Sequence, residues 1–257
     1  MKNTWDEMVT YRLNFSMWRF RNVLQLLTMY FLWYSVIPSN KSIFGYSHSL
    51  ILTYILGTSI LSSVVLSSRS YDIGDVINKG ELSNFLLKPI NFFYYLFAKD
   101  IGDKAMNIVF SFGELFLLFI LLRPPFLIQT NPFYLVAFLI AICIAVILFF
   151  FFNLLLGFIG FWSPETWAPR FIFTILISFF AGGLFPLDIL PAPIFALFKV
   201  IPLTYLLYFP LKIYLGQVQF VEIITGLIIS TLWIFGMYKI IEAVWLKGLK
   251  VYTAQGM

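Results

Sequence analysis

Few residues of this 257-residue chain can do chemistry, and their spacing narrows what that chemistry is. Carboxylates recur three apart at Asp72 with Asp75 and at Asp100 with Asp103, near enough on a helix to share a face as an acid and base pair would need. Lys79, Lys99 and Lys104 stand beside them, so helix caps and solvated faces are the better reading. Glu114 lies inside an apolar run with Asn107 and Ser111 on nearby turns. An ionisable group there is costly and must face a partner or a wet cavity; a structural hydrogen bond and a role in transport both fit. The single His48 and single Cys143 give no cluster for a transition metal and no internal disulfide. No G-x-x-x-x-G-K-[ST] loop is present to cradle a nucleotide, and there is no nucleophile elbow. Uphill work would draw its energy from a partner or an ion gradient.

The elements that must position these groups are membrane helices. At 61% hydrophobic, 20% aromatic and 11% charged, the chain has too little polar surface to coat a soluble globule. The expected fold is an all-α membrane protein of one domain over 1–257, with no internal repeat. Residues 1–20 read as an amphipathic interfacial helix, with Asp6, Glu7 and Asn14 opposite Trp5, Met8 and Leu13, and Trp18 and Arg19 at the headgroups. Asp6 and Glu7 argue against a cleaved leader. Six apolar runs follow at about 22–37, 49–67, 105–122, 133–160, 171–187 and 222–241, each near the length a crossing helix needs. With both termini inside, thirteen Lys and Arg fall on the inner side and only Lys41, Arg123, Lys199 and Lys212 on the outer. The net charge of +5 therefore orients the chain rather than inviting nucleic acid.

Two regions break the regular pattern. The segment 68–104 carries ten charges and is expected in the cytoplasm: Asp72 opens a short helix with Asp75, Val76 and Ile77, Gly80 ends it, and Glu81 to Leu87 forms a second with Leu82, Phe85 and Leu86 on one side. Such apolar stripes beside charges suit the grip of a soluble partner, or a solvated loop on the headgroups. Pro186 breaks the fifth run, and in 188–216 Pro191, Pro193, Pro202 and Pro210 cut the chain into runs too short to span and too apolar to be solvated, which predicts short re-entrant helices on the outer face. The second span carries Ser59, Ser63 and Ser67 four apart, a face for close helix packing or a polar path; Thr174 and Ser178 on the fifth span join Ser59, Ser63 and Glu114 as candidates for that path.

Two stretches resemble a known family. Gly80-Glu81-Leu82-Ser83-Asn84-Phe85-Leu86-Leu87-Lys88-Pro89-Ile90 is similar to a "G-E-L-x-x-x-L-L-[RK]-P" segment of a bacterial branch of the permease subunits of type-2 ABC exporters. Gly182-Gly183-Leu184-Phe185-Pro186-Leu187, Leu190-Pro191, Ile201-Pro202-Leu203-Thr204-Tyr205 and Ile213-Tyr214-Leu215-Gly216 resemble that family's outer-loop signature. The resemblance implies a coupling helix within Asp72 to Pro89, including Lys88, seated on a separate ATP-binding subunit present in two copies. It implies a second permease chain, identical or homologous, and twelve spans in a bacterial cytoplasmic membrane. ATP and Mg are then expected on the partner, with no cofactor on this chain. The path would run between the second and fifth spans of the two halves, with Gly182, Gly183, Pro186, Pro191, Pro202 and Tyr205 in an outer gate. An amphiphilic or hydrophobic cargo, exported by alternating access, suits the Phe-rich composition. The alternative is an ion-coupled carrier using Glu114.

Overall fold

The structure, a computed structural model, describes residues 12–38, 42–68 and 72–253. Most of the expected interfacial segment 1–20 lies outside them. The described chain is helical: α1 (Arg12–Val36), α2 (His48–Leu61) continued by a π-helical turn (Ser62–Leu66), α3 (Asp72–Asn78), α4 (Leu82–Leu86), α5 (Phe92–Leu122), α6 (Pro132–Phe158) with a 3-10 turn (Ile159–Phe161), α7 (Trp167–Phe180), α8 (Ala192–Phe198), α9 (Tyr208–Tyr214) and α10 (Phe220–Val251). Short 3-10 turns at Leu187–Ile189 and Pro202–Tyr205 link the last few. Among the described residues the one β pairing is the isolated bridge between Ile43 and Tyr46.

Four of these helices are long and apolar enough to cross a membrane: His48–Leu66, Phe92–Leu122, Pro132–Phe161 and Phe220–Val251. The expected first run sits in α1, which continues through Arg19 and Arg21 without a break. The fifth is shorter than expected. α7 ends at Phe180, not 187, because the chain turns at Ala181 and Gly182 takes a φ of +78°, open to glycine but strained for other residues. The third differs most: α5 begins at Phe92, capped by Asn91, whose side chain accepts the amides of Phe93 and Tyr94. Asp100, Asp103 and Lys104, expected on solvated faces, are buried in it. Lys104 Nζ reaches the carbonyls of Val65 and Ser67 where α2 ends and lies 3.3 Å from Asp100. These charges are met inside the protein, so an apolar run that begins at 105 underestimates the helix.

α10 runs along α6, α9 crosses α6 and α2, and α1 packs on α2. The approach of α9 depends on Gly57, where an added Cβ would meet the Leu211 side chain at 2.5 Å. Within lipid such close contacts and hydrogen bonds, rather than water exclusion, hold helices together. The expected short helices after Pro186 do form. α9 is buried from Tyr208 to Ile213.

Candidate functional site

One end of the bundle is built by α3, α4 and the last turns of α6 and α10. Gly80 takes a φ of +72° and ends α3 as the sequence suggests. α3 lies backbone to backbone on α6: a Cβ on Gly160 would come within 2.8 Å of the Gly74 carbonyl, and one on Gly157 within 2.7 Å of Ile73. Ile73, Ile77 and Leu82 sink into an apolar cluster with Phe92, Phe158, Phe161 and Ile241. Trp245 of α10 seals it, its ring 5.6 Å from Phe92 and 5.2 Å from Phe158. Ile77 and Leu82, expected to grip a partner, are 3% and 0% exposed and hold the segment to its own bundle instead. Val76 and Phe85 are half-buried. The side chain of Asp72 lies outside the described residues.

The outward side of this end carries Asp75, Glu81, Leu86, Leu87, Lys88, Pro89 and Ile90. Asp75 and Lys79 form an exposed pair at 3.9 Å. Leu87 is 85% exposed and Tyr94, on the first turn of α5, 76%. Helical periodicity missed Leu87 and Ile90, because α4 ends at Leu86 and they lie between helices, and Tyr94, because the expected apolar run starts at 105 whereas α5 begins at Phe92.

A second constellation lies between α1, α2, α5 and α7. The Arg19 guanidinium donates to Glu114 Oε1 at 2.6 Å and to Ser111 Oγ at 3.2 Å, and Ser111 hydrogen-bonds Ser63. Glu114 thus has its partner. Arg19, expected at the headgroups, is buried against it, so α1 is tied to α5 at that level. Beside this relay is a cavity of about 240 Å³. Four of the five residues proposed for a path, Ser59, Ser63, Glu114 and Thr174, line it; Ser178 does not, its hydroxyl turned to the Thr174 carbonyl on the exposed side of α7. α1 contributes Arg21, Asn22 and Gln25, polar residues that in sequence mark only the poor start of an apolar run.

A third group gathers where 181–218 meets the start of α10. Lys212, buried in α9, donates to Asp188 at 2.8 Å, to Gln217 at 2.6 Å and to the Tyr46 hydroxyl at 3.0 Å, while Tyr46 donates to the other Asp188 oxygen at 2.8 Å. Burial pulls the Lys212 ammonium below the usual lysine range, with Asp188 opposing. Burial, then the Asp188 charge, pushes the Tyr46 phenol up, and burial alone raises Tyr205 to about 12. Gly182 is enclosed by Tyr54, which donates to its carbonyl at 2.7 Å, and by Tyr208. Trp33 donates to the Leu184 carbonyl and Tyr205 to that of Lys199. Of the expected gate residues, Gly182 and Tyr205 make these contacts, Gly183 packs on the Ser178 backbone, and Pro186, Pro191 and Pro202 set the entries to the three short helices that follow. A cavity of about 290 Å³ opens beside Asp188, Lys212 and Tyr205, with the Lys199 and Glu222 pair, 3.6 Å apart, on its wall. Sequence reasoning passed over Lys212 and Asp188; a lone lysine in the apolar run 203–215 was the available signal.

Among the described residues no cluster of His, Cys, Asp and Glu could hold a metal ion. α10 joins the first and third groups, its 32 residues spanning about 48 Å. Curated proteins gave no match to the chain. Residues 23–256 match the family described as ABC-2 family transporter protein. That match covers nearly the whole helical bundle, so this multi-pass membrane protein belongs to the ABC-2 transporter family.

Proposed function

We propose that the chain is the permease subunit of an ATP-driven exporter, with an ATP-binding partner seated on the ridge of Leu86, Leu87, Lys88, Pro89 and Ile90. One observation carries this reading: large apolar side chains stand exposed beside Glu81 and Lys88 on a short segment whose other face is locked into the Trp245 cluster. A surface both apolar and rigidly backed suits the transmission of force from a soluble partner. Membership of the ABC-2 family implies such a partner.

In this reading α1 and α7 join the four strongly apolar crossing helices as six spans, both termini and the 72–91 end face the cytoplasm, and a second permease chain completes twelve spans with two ATP-binding subunits. ATP-driven closure of those subunits displaces the ridge and rocks the halves, so that the cavity beside Glu114 closes to the inside while the Gly182 to Gly216 region opens outward. The rival reading, an ion-coupled carrier, needs Glu114 free to exchange a proton. Its 2.6 Å contact with Arg19 favours a structural role instead.

The test is a tagged pull-down in mild detergent with mass-spectrometric identification. The wild-type chain should bring down an ATP-binding protein in stoichiometric amount, and Leu87→Asp with Ile90→Asp should lose it while remaining monodisperse. Recovery of the chain alone, under conditions that keep a control complex intact, or full retention by the double variant, overturns the reading.

A further inference from the structure

We propose that α10 is the rod that carries movement of the Leu86 to Ile90 ridge to the cavity beside Lys212, and that its ties to Lys199 and Val200 are the contacts that part when that cavity opens. This rests on the exporter reading, in which the cavity is the outer one, and names the route by which the ATP-binding partner controls it. At one end α10 belongs to the ridge. Trp245 packs on Phe92 and Phe158, the Tyr252 hydroxyl just past the helix bonds both Gly80 and Ser83, and Phe161 lies so close on Gly248 that no Cβ would fit. At the other end it belongs to the cavity. Glu222, Thr225, Gly226 and Ile229 line it, and Phe209 covers Gly226 as tightly as Phe161 covers Gly248. Two polar ties fasten this end to the chain after α8: Glu222 lies 3.6 Å from Lys199, and Trp233 Nε1 donates to the Val200 carbonyl at 2.8 Å.

Between the two ends the helix is unbroken and loosely held. Its buried residues Ile223, Gly226, Ser230, Met237, Ile241 and Gly248 fall three, four or seven apart, a single stripe. Ser230 and Thr231 donate to the Leu227 carbonyl of their own helix, and among the described residues the side-chain hydrogen bond made between Trp233 and Tyr252 is also internal, Lys239 to Glu242. α10 runs along α6 and otherwise meets chiefly the turn Pro202–Tyr205 at one end and the turn Ile159–Phe161 at the other. A seam of this kind lets a helix shift by about 1 to 2 Å without breaking a bond. α6 is held by α3, α9 and the π-turn of α2 as well, so it is the frame against which α10 moves. The ties at the far end are suited to parting: Lys199 and Glu222 are both half-exposed, where ion pairs are weak, and α8 fully buries none of its own residues.

The experiment reads amide hydrogen exchange in nanodiscs, first on the permease alone. Glu222→Gln keeps the capping interaction with Gln219 while dropping the charge that faces Lys199, and Trp233→Phe removes the donor to Val200. The two together cut the far ties and leave the ridge end untouched. The Ser83 amide, bonded to Tyr252 at the opposite end of the rod, should then exchange faster, while the Leu50 amide, bonded to Ser47 at the start of α2, keeps its rate. Adding Gly236→Ala, where a Cβ meets nothing, should preserve the effect at Ser83; adding Gly236→Pro, which kinks the rod at its middle, should abolish it. An unchanged Ser83 rate, an equal rise at Leu50, or an effect that survives Gly236→Pro overturns the proposal, and the first two decide even if the proline chain does not insert. In the complex with the ATP-binding partner, ATP should speed exchange over 192–201, and Gly236→Pro should remove that response; no response in the intact complex, or one that persists in Gly236→Pro, also overturns it. If no ATP-binding partner co-purifies, the exporter reading fails while the permease alone still decides whether the two ends are coupled.

Discussion

The Tyr252 hydroxyl donates to the Gly80 carbonyl at 2.7 Å and accepts the Ser83 amide at 3.0 Å, so one side chain beyond the end of α10 bridges the joint between α3 and α4. Each bond contributes about 1 kcal/mol. Tyr252→Phe keeps the ring and removes both. The amide of Ser83 should then exchange hydrogen faster by about one to two orders of magnitude, while the melting temperature changes little. An unchanged exchange rate would show that Trp245 and its cluster hold the joint without Tyr252.

The Arg19 and Glu114 pair predicts strong non-additivity. Removing one partner leaves a mostly buried charge alone, which costs about 3 kcal/mol; replacing both with methionine removes the problem along with the bond. Arg19→Met and Glu114→Gln should each lower the unfolding midpoint, and the Arg19→Met, Glu114→Met chain should recover most of the loss. Equal loss in the double variant would place the stabilisation in the Ser111 and Ser63 bonds.

Gly160 permits the contact between α3 and α6, since a methyl there collides with the Gly74 backbone, which cannot swing aside. Gly160→Ala should cost about 1 to 3 kcal/mol. Gly113→Ala and Gly236→Ala, on helix faces where a Cβ meets nothing within 4 Å, should cost nothing. Thermal melts of the three variants in one detergent decide it.

Lys212→Met strips Asp188, Gln217 and the Tyr46 hydroxyl of their shared donor and should destabilise the chain by about 3 kcal/mol. A pH signature accompanies it. Lys212 titrates lower folded than unfolded, so above its lowered native value the unfolded chain holds more protons. Stability contributed at this residue therefore rises with pH toward the ordinary lysine value of about 10.4. The difference in stability between wild type and Lys212→Met should widen with pH across that window. A flat difference would mean that burial and Asp188 offset each other fully.

How much of this was legible from residue order depends on whether a contact is local. Gly80 and Pro89 bracket the two short helices, and both features are in the chain because backbone conformation is decided within a few residues. Polar residues in apolar runs pointed to Ser59, Ser63, Glu114 and Thr174, which line one cavity, but the same rule also named Ser178, which does not line it. What was hidden depends on distant partners. Ile77 and Leu82 have the same pattern whether their stripe faces a foreign groove or the end of α6, and only Gly157 and Gly160 decide that. Lys104 looked like a solvated end because the carbonyls it caps belong to residues 65 and 67 of another helix. The same holds for Lys212, whose Asp188 and Tyr46 come from two different loops.

The bond between Arg19 and Glu114 also sets an order of events at the ribosome. The two residues are 95 positions apart, and α1 reaches the insertion machinery with Arg19 among its residues long before α5 has been translated. α1 is less apolar than α2, α5, α6 and α10, so on the six-span reading it would hold its place in lipid less firmly than they do. On that reading, the contact with Arg19 can form only once the Glu114 turn of α5 has been made. In chains truncated before residue 114, where α2 still holds the chain in the membrane, a cysteine placed on α1 should therefore react faster with a water-soluble thiol reagent than in the full chain.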